Sequence, residues 1–366
     1  MANTIAQDSL LSKTINALRF PMCVLIIFIH ANQGTTDMLL KSTAYLKDSA
    51  QFNLFTNIST FISVIVANIA VPTFFLISGF LFFYSNDGFS FIQYKTKLKS
   101  RFYTIMIPYI SWNLIFALLY FAAQTLAGNF VSDSHKLFIN YNFKDWADLF
   151  WCSKDFWNNP IDLPLWYIRD LMGMMVLSPF VYLFVKYLRK YGIVILCLLW
   201  IFGSRWPISI FEQTAILFFT VGAFFGTNKI DFVTRLKPYL YYLIVGYCIM
   251  LLAIFIFNNY SECLRLSVII GIMLVVALFA RLVEHGDAGI VQSKFLASST
   301  FFIYAFHALP VIFVIKIIGK ILPVNSNVHL LFIYFFSVFF IIIVGLCLYK
   351  IVNQSHFAKT ILTGNR

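Results

Sequence analysis

Residues 19–32 read RFPMCVLIIFIHAN: an apolar run that opens on an arginine and closes on a histidine. In an α-helix, eleven residues return to nearly the same azimuth, about 20° apart, and rise about 16 Å. Arg19 and His30 therefore share one face at two depths. Ionisable groups inside an apolar run are costly and concentrate on functional paths. A guanidinium at one end of such a face suits an anionic ligand, and an imidazole deeper in suits general-base work because it titrates near neutral pH. A structural reading also stands: Arg19 as a snorkelling anchor and His30 as a helix-end residue bonded to nearby backbone.

Four further stretches carry chemistry. FFIYAFHALP (301–310) holds a second histidine, His307, with Tyr304 one turn before it on the same face. KLKSRFYTIMIPYISWN (97–113) brings Lys97, Lys99 and Arg101 up to an apolar run containing Pro108. That cluster reads either as a topology signal or as a phosphate clamp. LPLWYIRDL (163–171) sets Arg169 and Asp170 beside Trp166 within an apolar run. Neighbouring helical residues point apart, so each is expected to take a partner from another helix. FFLISGFLFF (74–83) places Ser78 and Gly79 mid-run, where small residues let helices approach closely.

The elements that position these residues follow from composition. Hydrophobic residues make up 60% of the 366-residue chain and charged residues 11%, with a mean hydropathy of +0.82. A soluble domain carries about 25% charged residues. The chain is therefore expected to be all-α and polytopic, one transmembrane domain over 1–366 with the lipid bilayer as partner. A spanning helix needs about 20 apolar residues. Ten spans are expected, near 16–33, 58–84, 102–127, 165–185, 191–204, 209–226, 239–257, 264–283, 296–317 and 328–349. The stretch 191–226 is alternatively one re-entrant hairpin.

The net charge of +12 does not point to nucleic acid, because the basic residues form short clusters between apolar runs. With both termini cytoplasmic, most of the 27 Lys and Arg residues fall inside, including Lys186, Arg189 and Lys190, then Lys229, Arg235 and Lys237. The external segment 128–164 holds Asp133, Asp145, Asp148, Asp155 and Asp162 with Trp146, Trp151 and Trp157. Its tryptophans read as an interfacial belt or as a stacking surface for an external acceptor. No metal motif or disulfide framework is evident, although Cys152 and Cys263 both fall outside and permit one bridge. No cleavable signal peptide is evident either.

In order along the chain, Arg19-x10-His30, LISGFLFF, IPY after a basic cluster, LPLWYIRDL and IYAFHAL resemble the membrane acyltransferase-3 family, polytopic enzymes that acetylate bacterial surface polysaccharides. The resemblance implies an O-acyltransferase in the bacterial inner (plasma) membrane, multi-pass, with acyl-CoA (acetyl-CoA) as co-substrate and a glycan or lipid-linked glycan acceptor. It implies His30 as catalytic base and Arg19 as a donor-binding group. It implies an Arg-x-x-Arg motif before the third-span proline. Here that motif reads Arg101-x-x-Thr104, so Lys97 or Lys99 is expected to stand in for the second arginine. Beside the resemblance, the residues themselves suggest His307 as a second catalytic group, serving the acceptor or an oxyanion, and Trp166, Arg169, Asp170 and Tyr304 as the acceptor side. The rival reading is a polytopic transporter or flippase of polysaccharide intermediates. Against it, the chain shows no internal repeat and no paired Gly/Pro-broken spans.

Overall fold

The computed structural model describes residues 9–84, 90–127, 137–156, 158–203, 211–257, 260–286, 289, 293–322 and 324–365. Asp133 and Trp157 of the external segment lie outside the described residues. The chain is an all-α polytopic membrane protein, and no strand occurs among the described residues beyond one isolated bridge, Ser153 to Asn159. Among them, six helices are long and apolar enough to cross a bilayer: α1 (Leu10–Leu40), α2 (Ala50–Tyr84), α3 (Phe91–Thr125), α7 (Phe232–Ile256), α8 (Ser261–Glu284) and α11 (Asn327–Val352). Two bent pairs raise that number to eight: α4 (Leu163–Val176) with α5 (Ser178–Ile201), and α9 (Lys294–Phe306) with α10 (Ala308–Ile321). A shorter apolar helix, α6 (Gln213–Thr227), and a terminal one, α12 (His356–Thr363), complete the series.

The spans expected at 165–185 and 296–317 are not straight, so the expected absence of paired Pro-broken spans does not hold and no longer counts against a transporter. The first bends by 65° and the second by 68°. Both bends have the same cause. Pro179 and Pro310 follow the bends at Leu177 and His307 by two and three residues. A proline lacks the amide that would close the turn and crowds the carbonyl four residues back. Further on, α5 leaves helical geometry at Arg189 (φ 48°, ψ −137°), which breaks it between the expected fourth and fifth spans. Most helices also outrun their apolar cores. Apolar content marks the part within hydrocarbon, whereas the backbone ladder continues into the polar flanks. So α3 takes in Lys97 and Arg101, with a π segment (Phe102–Met106) just before Pro108.

The first helix is the axis of the fold. It packs on α2, α8, α9, α10 and α11, burying Leu18, Cys23, Ile27 and Ala31. The closest pair is α2 with α6, and small residues make it possible. A Cβ on Gly79 would lie 2.1 Å from the Phe219 carbonyl oxygen, and one on Gly222 2.1 Å from that of Leu76. Lipid offers no hydrophobic drive between helices, so such backbone approach supplies the packing. By contrast, α7 exposes Tyr241, Val245, Ile249 and Leu252, an apolar face turned to lipid. The tail after 350 is helical. Trp112 Nε1 donates to the Leu362 carbonyl at 3.0 Å, and Gly364, at φ +64°, comes so near Thr104 that a Cβ would lie 2.1 Å from its oxygen. Cys152 and Cys263 are free thiols.

Candidate active site

Arg19 and His30 lie on one unbroken helix, α1, as their spacing requires, even though Pro21 sits within it. Gln33 follows His30 by one turn on the same helix. The His30 ring meets that of His307 with centroids 5.0 Å apart at 60°. The bend between α9 and α10 places His307 there. The residue occupies the corner itself, fully buried, rather than a position along a straight span. Its Nδ1 lies 2.6 Å from the Tyr304 carbonyl oxygen. A carbonyl only accepts, so Nδ1 carries the proton. In the neutral ring Nε2 then keeps a lone pair, and that buried atom has no hydrogen-bond partner.

On the Arg19 side a cavity of about 360 Å³ opens between α1, α2, α3, α4 and α9. Arg19 and Arg101 both line it, together with Ser78, Tyr167, Ser298, Thr300 and Tyr304. No carboxylate is among its lining residues. Tyr304 marks its inner end. The Tyr304 hydroxyl donates to the Pro164 carbonyl, its ring lies 5.9 Å from that of Tyr167, and its own carbonyl holds His307. The chain thus runs from a paired-arginine mouth through a tyrosine wall to an imidazole pair, a layout fitted to an anionic donor at one end and proton transfer at the other.

Residues 12–350 match a family described as "Acyltransferase domain". The chain belongs to the acyltransferase-3 family. Among curated proteins, this acyltransferase-3 chain is 26% identical over 227 residues to a succinoglycan biosynthesis protein, ExoH, of Rhizobium meliloti (strain 1021). The match covers 61% of this chain and 56% of that protein, so the chain spans little more than half the relative's length. No solved structure matches.

The other expected site residues of the acyltransferase-3 chain fall in different places. The Lys97 ammonium donates to the Phe82 carbonyl and lies 5.1 Å over the Phe82 ring. Lys99 is exposed. Neither lines the cavity, so of the basic cluster the structure brings only Arg101 to Arg19. Arg169 and Asp170 do not take separate partners on other helices. Arg169 Nε donates to Asp170 Oδ1 at 2.9 Å, because the long arginine arm folds back within the first turns of α4. Both then bind backbone: Arg169 Nη1 donates to the carbonyls of Trp151 (2.9 Å) and Asn158 (3.3 Å), and Asp170 Oδ2 accepts from the Glu212 amide (2.9 Å). The pair fastens the segment carrying Trp151 and Asn158 and the entry to α6 onto α4. Trp166 is half-buried against Phe75, at 6.4 Å. Sequence reasoning missed Tyr167, whose hydroxyl lies 3.3 Å from Ser78 Oγ and whose ring lines the cavity. Adjacent Trp166 drew the attention, but one residue is a 100° turn, and it is Tyr167 that faces inward.

Proposed function

We propose that the protein is an O-acyltransferase of the bacterial inner membrane. It carries an acyl group, acetyl in the first instance, from cytoplasmic acyl-CoA to a hydroxyl of a surface or lipid-linked glycan. The observation that carries this reading is the continuity of Arg19, Arg101, Tyr304, His307 and His30. Two guanidiniums converge on one cavity without a carboxylate between them, and the cavity's far wall holds the histidine that meets His30. Like charges brought together in this way fit a polyphosphate-bearing donor. The family membership supports the acyl transfer, and the succinoglycan biosynthesis relative supports a glycan acceptor.

In this reading Arg19 and Arg101 hold the donor's phosphates at the cytoplasmic mouth, and the apolar wall of Phe74, Ile77 and Leu171 guides its thin arm inward. The eleven-residue rise from Arg19 to His30, about 16 Å, matches the length of such an arm. His30 accepts the proton of the attacking hydroxyl. The hydroxyl oxygen forms the new ester as the carbon–sulfur bond breaks, and the proton passes to the leaving thiolate. His307 serves the acceptor. Its Nε2 has a lone pair and no proton to give, so it accepts a hydrogen bond from a neighbouring, non-attacking hydroxyl of the acceptor rather than donating one to an oxyanion.

The test is mass spectrometry of surface glycans from cells with and without the protein. A mass difference of one acetyl group supports the reading, another acyl mass changes the donor, and an unchanged glycan overturns it.

A further inference from the structure

A second cavity, about 580 Å³, lies where α5 breaks and α6 ends. Its lining includes Tyr182, Lys186, Arg189, Lys190, Phe224 and Thr227, with no carboxylate among the lining residues. It sits at the same end of the bundle as Arg19 and Arg101. Lys229, just past α6, donates to the Tyr84 carbonyl at the end of α2, and Lys97 of α3 donates to the Phe82 carbonyl there. The arginine cavity and this groove share no lining residue.

Three features mark the groove as more than a solvated basic loop. First, Arg189 holds a positive φ, 48°, with ψ −137°, a combination that glycine adopts readily and a long side chain rarely does. Nothing in the backbone course demands arginine there, and the guanidinium is what that conformation adds to the groove. Second, Thr227 is among the lining residues, and its buried Oγ1 has no hydrogen-bond partner. A buried hydroxyl left unpaired calls for an explanation, and a polar ligand atom supplies one. Third, the lysines are held by aromatic rings. The ammonium groups of Lys186 and Lys190 lie 5.7 and 5.5 Å from the ring centroids of Tyr187 and Tyr191.

The surroundings choose the ligand. The groove's floor includes the apolar Val185 and Phe224, and on the same helix Phe180 and Leu188 are 69% and 42% exposed, as lipid-facing side chains are. A soluble phosphate ester would gain nothing from that border, whereas a molecule with an anionic head and an apolar tail would fill both parts. Basic pockets between membrane helices on the inner face recognise such headgroups. We infer that this groove binds the phosphodiester headgroup of an anionic phospholipid from the leaflet at the Arg19 end. Arg189 and the lysines hold the phosphate, and the Thr227 hydroxyl donates to one of its oxygens.

The experiment uses the full chain purified in mild detergent and needs no acyl transfer, so it stands apart from the enzymatic reading. Phosphatidylglycerol, phosphatidylcholine and inorganic phosphate are added in turn, with bound lipid read by native mass spectrometry and folding by melting temperature. Wild type is expected to retain phosphatidylglycerol, to melt higher in its presence, and to show neither effect with phosphatidylcholine. Arg189→Gly keeps the backbone conformation, so its own melting temperature should stay equal or rise while retention falls roughly fivefold or more. The exposed pair Lys186→Gln/Lys190→Gln should lose retention in the same direction. Undiminished retention in both variants overturns the site. A stabilisation by millimolar inorganic phosphate equal to that of the lipid also overturns the assignment, since the groove would then take a soluble anion.

Discussion

Single side chains decide the chemistry here. Arg19 is half-buried and shares the cavity with Arg101. A charge-assisted hydrogen bond to phosphate is worth about 1.5–3 kcal/mol. Arg19→Ala is therefore expected to raise KM for acyl-CoA by roughly ten- to a hundred-fold with a smaller change in kcat, measured by thiol release in nanodiscs. A fall in kcat alone would place Arg19 elsewhere in the mechanism. Asp162 poses a different question. It is fully buried just before α4, its amide donates to Asn113 Oδ1 at 3.2 Å, and neither carboxyl oxygen has a partner. Burial pushes its carboxyl well above the usual carboxylate range. The folded state therefore binds a proton that the unfolded state releases. Stability is greatest below the usual carboxylate range, falls as pH rises from there to the elevated pKa, and is flat beyond. Asp162→Asn removes that fall. It should raise the melting temperature at neutral pH and lose the advantage as pH drops toward 4, a sign that a melting series across pH reads directly.

Elements set where those side chains meet. The α2–α6 crossing leaves no room for a methyl group, since the Cβ of an alanine at 222 would collide with backbone rather than with a side chain that can swing away. Gly222→Ala is expected to cost about 2 kcal/mol or more, or to prevent folding, read as a lower melting temperature or lost expression. Gly246, with its nearest contact at 3.8 Å, should tolerate the same change. This crossing was legible in the Ser78–Gly79 pair, as was the shared face of Arg19 and His30, because local spacing fixes both. The His30–His307 contact was not. It joins residues 277 positions apart and depends on a 68° bend that a hydropathy run does not reveal. The Arg169–Asp170 pair was misjudged for a related reason: helical azimuth describes where side chains start, not how far an arginine can fold back.

At the scale of the whole molecule, α1 is the axis that joins a basic end to an imidazole pair, and the helices around it supply walls at each level. Composition alone placed the chain in a membrane, since 60% hydrophobic residues leave little else open. The broken spans and the docked α12 came only from the structure, because they are set by prolines, caps and long-range contacts rather than by apolar length. The account stands on His30 acting as the base between the two ends. Its most direct test is release of free thiol from acetyl-CoA by the full chain in nanodiscs with a glycan acceptor, comparing wild type with His30→Ala at matched melting temperature. The account predicts that the variant loses turnover by about 10²- to 10⁴-fold while remaining folded. Undiminished thiol release from folded His30→Ala would contradict it.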